Sequence, residues 1–165
     1  MATATLHGNP VHTVGDLPSV GDAAPAYTLT RQDLSDVSSD TFKGSRVVLN
    51  IFPSVDTKTC AASVRHFNAL AASLDDTVVV CVSADLPFAM RRFCGAEGIE
   101  NVVTGSAFRS SFGTDYGVTM TDGPMRGLLA RSVVVVDTDG SVLHTQVVPD
   151  IGTEPDYDAA VAALG

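Results

Sequence analysis

Residues 46–60 have the sequence Arg-Val-Val-Leu-Asn-Ile-Phe-Pro-Ser-Val-Asp-Thr-Lys-Thr-Cys, and this stretch sets the fold expected for the whole chain. The nearly continuous apolar run Arg46–Phe52 predicts a β-strand that is buried on both faces. Pro53 ends the strand because proline has no N–H to donate to a sheet. From Thr59 to Leu74 apolar residues recur every three or four positions, which predicts a helix. A buried strand followed by a helix is the repeating unit of α/β folds.

The same alternation continues to the end of the chain. The first 15 residues predict a hairpin, Thr3–His7 and Val11–Val14, around the turn Gly8-Asn9-Pro10. Further strands are predicted at 27–29, 77–82, 102–103, 132–136 and 141–148, and further helices at 87–97, 107–116 and 155–164. This order favours a mixed β-sheet with helices on both faces, which fits a thioredoxin-like architecture. We expect one domain over residues 1–165, with residues 1–15 as an N-terminal hairpin extension.

The composition excludes several classes of protein. The chain has 165 residues, of which 45% are hydrophobic, and its formal net charge is −9. Its ten Lys and Arg residues are scattered, so no basic face is expected for nucleic acid or an anionic membrane. No apolar run approaches the about 18 residues of a membrane span, and the N-terminus lacks the basic and apolar parts of a secretory signal. We therefore expect a soluble, cytoplasmic protein.

Three cysteines are too few, and odd in number, for a disulfide scaffold. Cys60 falls at the start of the predicted helix, with Asp56 or Thr57 as the residue that caps it. The free N–H groups and positive dipole end of a helix N-terminus favour a thiolate. Nucleophilicity falls as a thiol becomes more acidic, so a fast reaction at Cys60 also needs hydrogen-bond donors around the reacting atoms. Position alone leaves an inert, buried cysteine as an equal alternative.

The other two cysteines lie in different settings. Cys81 is in the middle of a valine-rich strand, which indicates a structural residue. Cys94 lies near the end of a short predicted helix that contains Gly95 and is followed by Gly98. Glycine weakens helices, so this segment could unwind at low cost. Packing beneath the helix remains the alternative role for Cys94.

Other cysteine chemistries fit poorly. Cys60 is not part of a Cys-x-x-Cys motif, which argues against a disulfide oxidoreductase of the thioredoxin type. A cysteine hydrolase needs a histidine beside the thiol, whereas His66 lies on another side of the predicted helix. The cysteine spacings match no zinc-binding motif. A non-catalytic redox sensor stays open, and sustained turnover with a reductant would distinguish it from an enzyme.

Residues 53–60 match the signature Pro-x-x-x-Thr-x-x-Cys of peroxiredoxins. More closely, nearly the whole chain resembles the bacterial thiol peroxidases, a group of atypical two-cysteine peroxiredoxins with a thioredoxin-like fold. The matching blocks are 8–11, 49–65, 83–98, 123–131 and 153–157.

The resemblance implies a role for five residues. Cys60 would be the peroxidatic cysteine, which is oxidised to a sulfenic acid, and Cys94 the resolving cysteine, which closes an intramolecular Cys60–Cys94 disulfide. Thr57 would hydrogen-bond the thiolate or the peroxide, Arg131 would hold its guanidinium against both, and Pro53 would shield the site from water. On their own, these last three could instead be a helix cap, a surface cation and a strand terminator.

The resemblance also implies partners. The substrates would be hydrogen peroxide and organic hydroperoxides, the reductant thioredoxin, and the assembly a homodimer, with no cofactor and no metal. Met90 stands where the family has a polar residue, and Gly105-Ser106-Ala107 varies the family's pattern, so the preferred peroxide stays open.

A disulfide requires Cα atoms within about 7 Å. Two cysteines on separate, fully wound helices are not expected to lie that close. We therefore expect the start of the Cys60 helix and the Cys94 helix to unwind locally on oxidation.

Overall fold

A computed structural model describes residues 1–165 and contains a seven-stranded sheet, a separate hairpin and four α-helices. The strands are β1 (Thr3–Leu6), β2 (Asn9–His12), β3 (Thr28–Thr30), β4 (Asp36–Ser38), β5 (Arg46–Ile51), β6 (Thr77–Ser83), β7 (Val103–Ser106), β8 (Ser132–Val136) and β9 (Val142–Val147). The helices are α1 (Lys58–Ala71), α2 (Pro87–Glu97), α3 (Phe112–Asp115) and α4 (Tyr157–Ala162), and a 3₁₀ turn spans Ser39–Phe42. No helix is long and apolar enough to cross a membrane.

The large sheet is mixed, as predicted. Its strand order is β4-β3-β7-β6-β5-β8-β9. Strand β6 runs parallel to both β5 and β7, whereas β8 pairs antiparallel with β5 and β9 pairs antiparallel with β8. Because the three parallel strands point the same way, their carboxyl ends meet at one edge of the sheet, where α/β proteins commonly place their sites.

Alternate residues of β5 supply the cores on the two faces of the sheet. Val47, Leu49 and Ile51 pack on one face with Phe112 and Tyr116, from α3 and its C-terminal end. On the other face Val48 packs in a cluster with side chains of α1, α2 and α4. The predicted placement of helices on both faces is confirmed, although three of the four helices share one face.

The N-terminal hairpin exists, but its predicted turn is wrong: the observed turn begins one residue earlier and ends two residues earlier. His7 and Gly8 form the turn with φ of 53° and 81°, and Asn9 and Pro10 belong to β2. A two-residue turn with positive φ at both positions, as here, excludes proline because its ring fixes φ near −65°. The turn therefore precedes Pro10 instead of including it.

Two predicted helices are shorter than expected. The helix predicted at 107–116 is only α3, because side chains take up backbone groups before it: Ser106 Oγ accepts from the N–H of Phe108 at 3.3 Å. The last helix is α4, which starts after Asp156. Asp156 caps it by accepting from the N–H of Ala159 at 3.0 Å, and this leaves Pro155 outside the helix.

The hairpin is fixed to the loop that follows β9. Thr5 donates its N–H to the carbonyl of Pro149 at 2.8 Å and accepts from the N–H of Ile151 at 2.9 Å. Leu6 and Val11 pack with Ile151 and with Ala130, which lies two residues before the start of β8. The hairpin therefore supports the edge of the sheet where β8 begins.

Candidate active site

Cys60 is the third residue of α1 and is completely buried. Thr57 is the residue that caps this helix: its Oγ1 accepts from the N–H of Cys60 at 3.2 Å. Between the two capping residues that the sequence allowed, the structure selects Thr57. The sulfur thus lies at the positive end of a 14-residue helix, at the carboxyl end of β5.

Arg131 directly precedes β8 and points its guanidinium into the interior, where only 1% of the residue is exposed. Its Nη2 donates to Cys60 Sγ at 3.1 Å, and its Nε donates to the carbonyl of Ile151 at 2.9 Å. Its Nη1 is buried and has no hydrogen-bond partner in the protein. Arg131 is therefore not a surface cation.

The surroundings of Arg131 favour a negative charge on the sulfur. A guanidinium does not lose its proton in proteins, and burying one without a counter-charge is costly. None of the six ion pairs of the chain includes Arg131, so no carboxylate oxygen lies within 4.0 Å of it. Cys60 Sγ, at hydrogen-bond distance, is the group that can supply the charge as a thiolate.

A cavity of about 130 Å³ opens at Arg131, with Cys60 buried behind its lining. Pro53, Thr57 and Arg131 line it, together with apolar and polar side chains from the hairpin and two loops, among them Leu6, His7, Met125 and Ile151. Pro53 is itself buried. A larger cavity of about 470 Å³ lies near β3 and β4 and is lined by none of the predicted site residues. The predicted residues Pro53, Thr57, Cys60 and Arg131 are thus brought together.

The hydroxyl of Thr57 has a different partner from the one expected. Its Oγ1 donates to the carbonyl of Ser54 at 3.2 Å while accepting from the N–H of Cys60. Thr57 lines the cavity, but its hydroxyl proton is directed at the backbone and not at the sulfur. In this state Thr57 acts as a helix cap.

Cys94 and Cys81 are both buried and unlinked. Burial raises the pKa of the Cys94 thiol, an effect that a hydrogen bond from Gln32 partly opposes. Burial also raises the pKa of the Cys81 thiol to about 12, and Asn50 Nδ2 lies 3.7 Å from its sulfur. Both cysteines are therefore neutral thiols near pH 7, and Cys94 lies inside the wound helix α2.

The sequence did not identify two residues that position the site. Ile151 presents a backbone carbonyl to Arg131, and no side-chain pattern signals such a contact. Asp85 accepts hydrogen bonds from the loop before α1, although an Asp just before a helix is more readily interpreted as a cap. The available signal in the sequence was the position of Asp85: it lies two residues before Pro87, one residue too early to cap a helix that starts at Pro87. No three His, Cys, Asp or Glu side chains are grouped so that they could hold a metal ion.

Comparisons with known proteins show which family the chain resembles. The family model described as Redoxin matches residues 19–161. The chain is 62% identical over 165 residues to the thiol peroxidase of Mycobacterium bovis, which covers 100% of this chain and 99% of that protein. It is 58% identical to the thiol peroxidase of Corynebacterium glutamicum, with 99% of each covered.

Among solved structures, the crystal structure of a peroxiredoxin-like protein from Aquifex aeolicus superimposes with a TM-score of 0.92 at 39% identity. The alignment covers 98% of this chain and 95% of that one. The predicted thioredoxin-like peroxiredoxin fold is thereby confirmed. A buried cysteine held by a buried arginine is the arrangement expected for thiol-based redox chemistry. Because the Redoxin model matches most of its length and its relatives at 62% and 58% identity are thiol peroxidases, the chain belongs to the peroxiredoxins, in the group of bacterial thiol peroxidases.

Proposed function

We propose that this thiol peroxidase reduces hydrogen peroxide and alkyl or lipid hydroperoxides through Cys60, with Cys94 as the resolving cysteine and thioredoxin as the reductant. The observation that carries the proposal is the buried contact of 3.1 Å between Arg131 Nη2 and Cys60 Sγ. In this proposal Cys60 reacts as a thiolate held by Arg131, which lines a small cavity and keeps a second N–H donor, Nη1, without a protein partner. The whole chain, residues 1–165, would act as one domain with the hairpin as part of the site.

In the first step the Cys60 thiolate attacks one oxygen of the peroxide. The S–O bond forms as the O–O bond breaks, so sulfur is oxidised to a sulfenic acid and the second oxygen leaves as an alkoxide or hydroxide. That oxygen then takes a proton to become an alcohol or water. Arg131 Nη1 is the donor available to stabilise the charge that develops on the leaving oxygen.

Pro53 and Thr57 assist the same step in this proposal. Buried Pro53 forms a wall of the cavity without an N–H of its own, which limits the water around the thiolate. Thr57 lines the same cavity. By turning from the carbonyl of Ser54, its hydroxyl could donate to the sulfur or the peroxide.

In the second step the Cys94 thiol attacks the Cys60 sulfenic acid. The S–S bond forms, the S–O bond breaks, and the thiol proton leaves with the hydroxyl group as water. Both residues are buried in separate wound helices, so we propose that the start of α1 and helix α2 unwind locally to let them meet. Helix α2 is suited to this because Gly95, inside it, lowers its stability and Gly98 ends it in a left-handed conformation.

In the third step a dithiol of the thioredoxin type reduces the disulfide by thiol–disulfide exchange. Two electrons return to Cys60 and Cys94, and the reductant leaves as its own disulfide. The high identity to two curated thiol peroxidases supports catalytic turnover over a sensor that reacts once.

We expect the three cysteine variants to differ in a diagnostic way. Cys60→Ser should abolish peroxide consumption because the nucleophile is lost. Cys94→Ser should keep the first oxidation at a rate within about threefold of the unmodified protein but lose turnover with thioredoxin. Cys81→Ser should retain both activities. Stopped assays of peroxide loss with and without thioredoxin measure them, and a large loss of activity in Cys81→Ser would contradict the assignment.

Replacing Arg131 should slow the first step strongly. Arg131→Met removes the donors to the sulfur and to the leaving oxygen, and the loss of one such donor typically costs about 10²–10³ in rate. Arg131→Lys keeps the charge without the forked guanidinium and should recover part of that loss. The matched control is Arg109→Met, an equal change of charge at an exposed arginine paired with Asp36. A second-order rate constant with peroxide that is equal in Arg131→Met and the control would contradict the role of Arg131.

We also propose a homodimer. Three large apolar side chains are exposed on segments next to the site: Leu86, Phe88 and Phe108. Segments 86–88 and 108 lie side by side because Ser83 pairs with Ser106 at the ends of β6 and β7. Sedimentation equilibrium should give twice the chain mass of 17.1 kDa, and Phe88→Asp should shift the mass toward the monomer. A mass of one chain at micromolar concentration would contradict the dimer.

A further inference from the structure

The loop between β6 and α2 contains a carboxylate that does not serve its own helix. Asp85 is two residues before Pro87, the first residue of α2, and the N-cap residue of α2 is Leu86, which makes no side-chain cap bond. The Asp85 carboxylate instead turns toward the loop before α1. Its Oδ1 accepts from Ser54 Oγ at 2.7 Å, and its Oδ2 accepts from the N–H of Val55 at 2.8 Å and from Ser83 Oγ at 2.6 Å.

These bonds continue to the reactive cysteine. The carbonyl of Ser54 accepts from the N–H and from the hydroxyl of Thr57, each at 3.2 Å. Thr57 Oγ1 in turn accepts from the N–H of Cys60. The cap of α1, and with it the backbone position of Cys60, is therefore connected through Ser54 to Asp85.

Asp85 is also well anchored at the other end. Its carbonyl accepts from Ser106 Oγ at the end of β7, and Ser83, which donates to its carboxylate, ends β6. Helix α2, which carries Cys94, starts two residues after Asp85. One carboxylate thus links the segments that precede the two cysteine helices.

A second link between the same segments is weaker. Arg92 of α2 donates to Asp56 at 2.7 Å, but the two side chains are 61% and 59% exposed. Exposed ion pairs contribute little because water and salt screen them. The partly buried bonds of Asp85, charge-assisted and three in number, are the stronger constraint.

We propose that Asp85 is a positioning residue that acts as a latch, defined by Asp85, Ser54, Val55 and Ser83, and that this latch sets how readily the Cys60 and Cys94 segments open after oxidation. The inference rests on the proposed function, because it concerns the opening that lets Cys60 and Cys94 form a disulfide. A closed latch holds Cys60 against Arg131 for the reaction with peroxide. An open latch frees the start of α1 and the start of α2 together.

The latch predicts that weakening it changes the rates of two steps differently: the reaction of Cys60 with peroxide and the formation of the Cys60–Cys94 disulfide. Weakening one charge-assisted hydrogen bond shifts an opening equilibrium by about tenfold. If the closed state is the major one, a tenfold rise in a minor open state hardly changes the closed population but raises the open population in proportion. The reaction with peroxide then changes little, whereas disulfide formation speeds up. Overoxidation of Cys60 to the sulfinic acid, which competes with disulfide formation, falls by the same factor.

Asp85→Asn is the direct test. The asparagine offers one acceptor oxygen and an NH₂ group where two acceptor oxygens now take three donors, so at least one donor loses its partner. Ser54→Ala is a second variant: it removes the bond to Oδ1 and, with it, the acceptor of the Asp56 N–H, but leaves the other two bonds of the Asp85 carboxylate in place. The control is Asp139→Asn, which removes the same charge from a carboxylate that accepts from the N–H and Oγ of Ser141 in the turn between β8 and β9.

The chain has no tryptophan, so the steps are followed by acid quenching, thiol alkylation and mass spectrometry. Relative to Asp139→Asn, we expect Asp85→Asn to form the disulfide about tenfold faster, with the sulfenic acid forming at a rate within about twofold. At excess peroxide the yield of sulfinic acid should fall by a corresponding factor. The rate of disulfide formation in Ser54→Ala should lie between the rates in Asp139→Asn and Asp85→Asn. A merely structural role would leave disulfide formation unchanged or slower in both Asp85→Asn and Ser54→Ala. That result would overturn the latch.

Amide hydrogen exchange of the reduced protein tests the latch without any peroxide. Protection at 54–60 and at the start of α2 should fall about tenfold in Asp85→Asn and not in Asp139→Asn, and equal protection in both variants would overturn the latch. If the unmodified protein forms no Cys60–Cys94 disulfide, the proposed function fails, whatever the exchange shows. If the disulfide forms but neither variant alters its rate, only the latch fails.

Discussion

The structure depends on one buried contact, between the guanidinium of Arg131 and the sulfur of Cys60. Arg131 is almost completely enclosed, no carboxylate reaches it, and its nearest anionic candidate is the sulfur of Cys60. Removing one partner of a buried pair typically costs about 3–5 kcal/mol, because the remaining charge stays uncompensated. The hairpin, the loop after β9 and the start of α1 all meet at this pair: Thr5 holds Ile151, Ile151 holds Arg131, and Arg131 holds Cys60. An N-terminal extension that is remote in sequence is therefore part of the site.

The packing that protects Cys60 also keeps it apart from Cys94. Both thiols lie in the core on the helix-rich face of the sheet, and each is part of a wound helix. In the proposed cycle the reaction with peroxide needs the closed arrangement, whereas the Cys60–Cys94 disulfide needs both helices to unwind locally. A fold that serves both steps requires local bonds of intermediate strength around a rigid sheet. The glycines of α2 and the hydrogen bonds of Asp85 lie where that strength can be set without disturbing β5, β6 or β8.

Much of this fold could be predicted from local patterns. The apolar runs of β5, β6 and β8 and the helix from Pro87 to Glu97 were recognised because buried strands and capped helices leave a regular signal. The hairpin turn and the helix at 107–116 were wrong because single residues, Pro10 and Ser106, override the pattern around them. The burial of Arg131 could not be derived from local sequence, since its partners lie 71 and 20 residues away. The resemblance to the peroxiredoxin family predicts that Arg131 belongs to the site. Neither local sequence patterns nor that resemblance predicts the role of Asp85.

The central claim is that Cys60 and Cys94 are the reactive pair and Cys81 a structural bystander. Non-reducing peptide mapping after one equivalent of hydrogen peroxide tests it most directly. We expect a peptide pair in which Cys60 is linked to Cys94 of the same chain, with Cys81 recovered as a free thiol. A link between Cys60 and Cys81, or a disulfide between two chains, would contradict it.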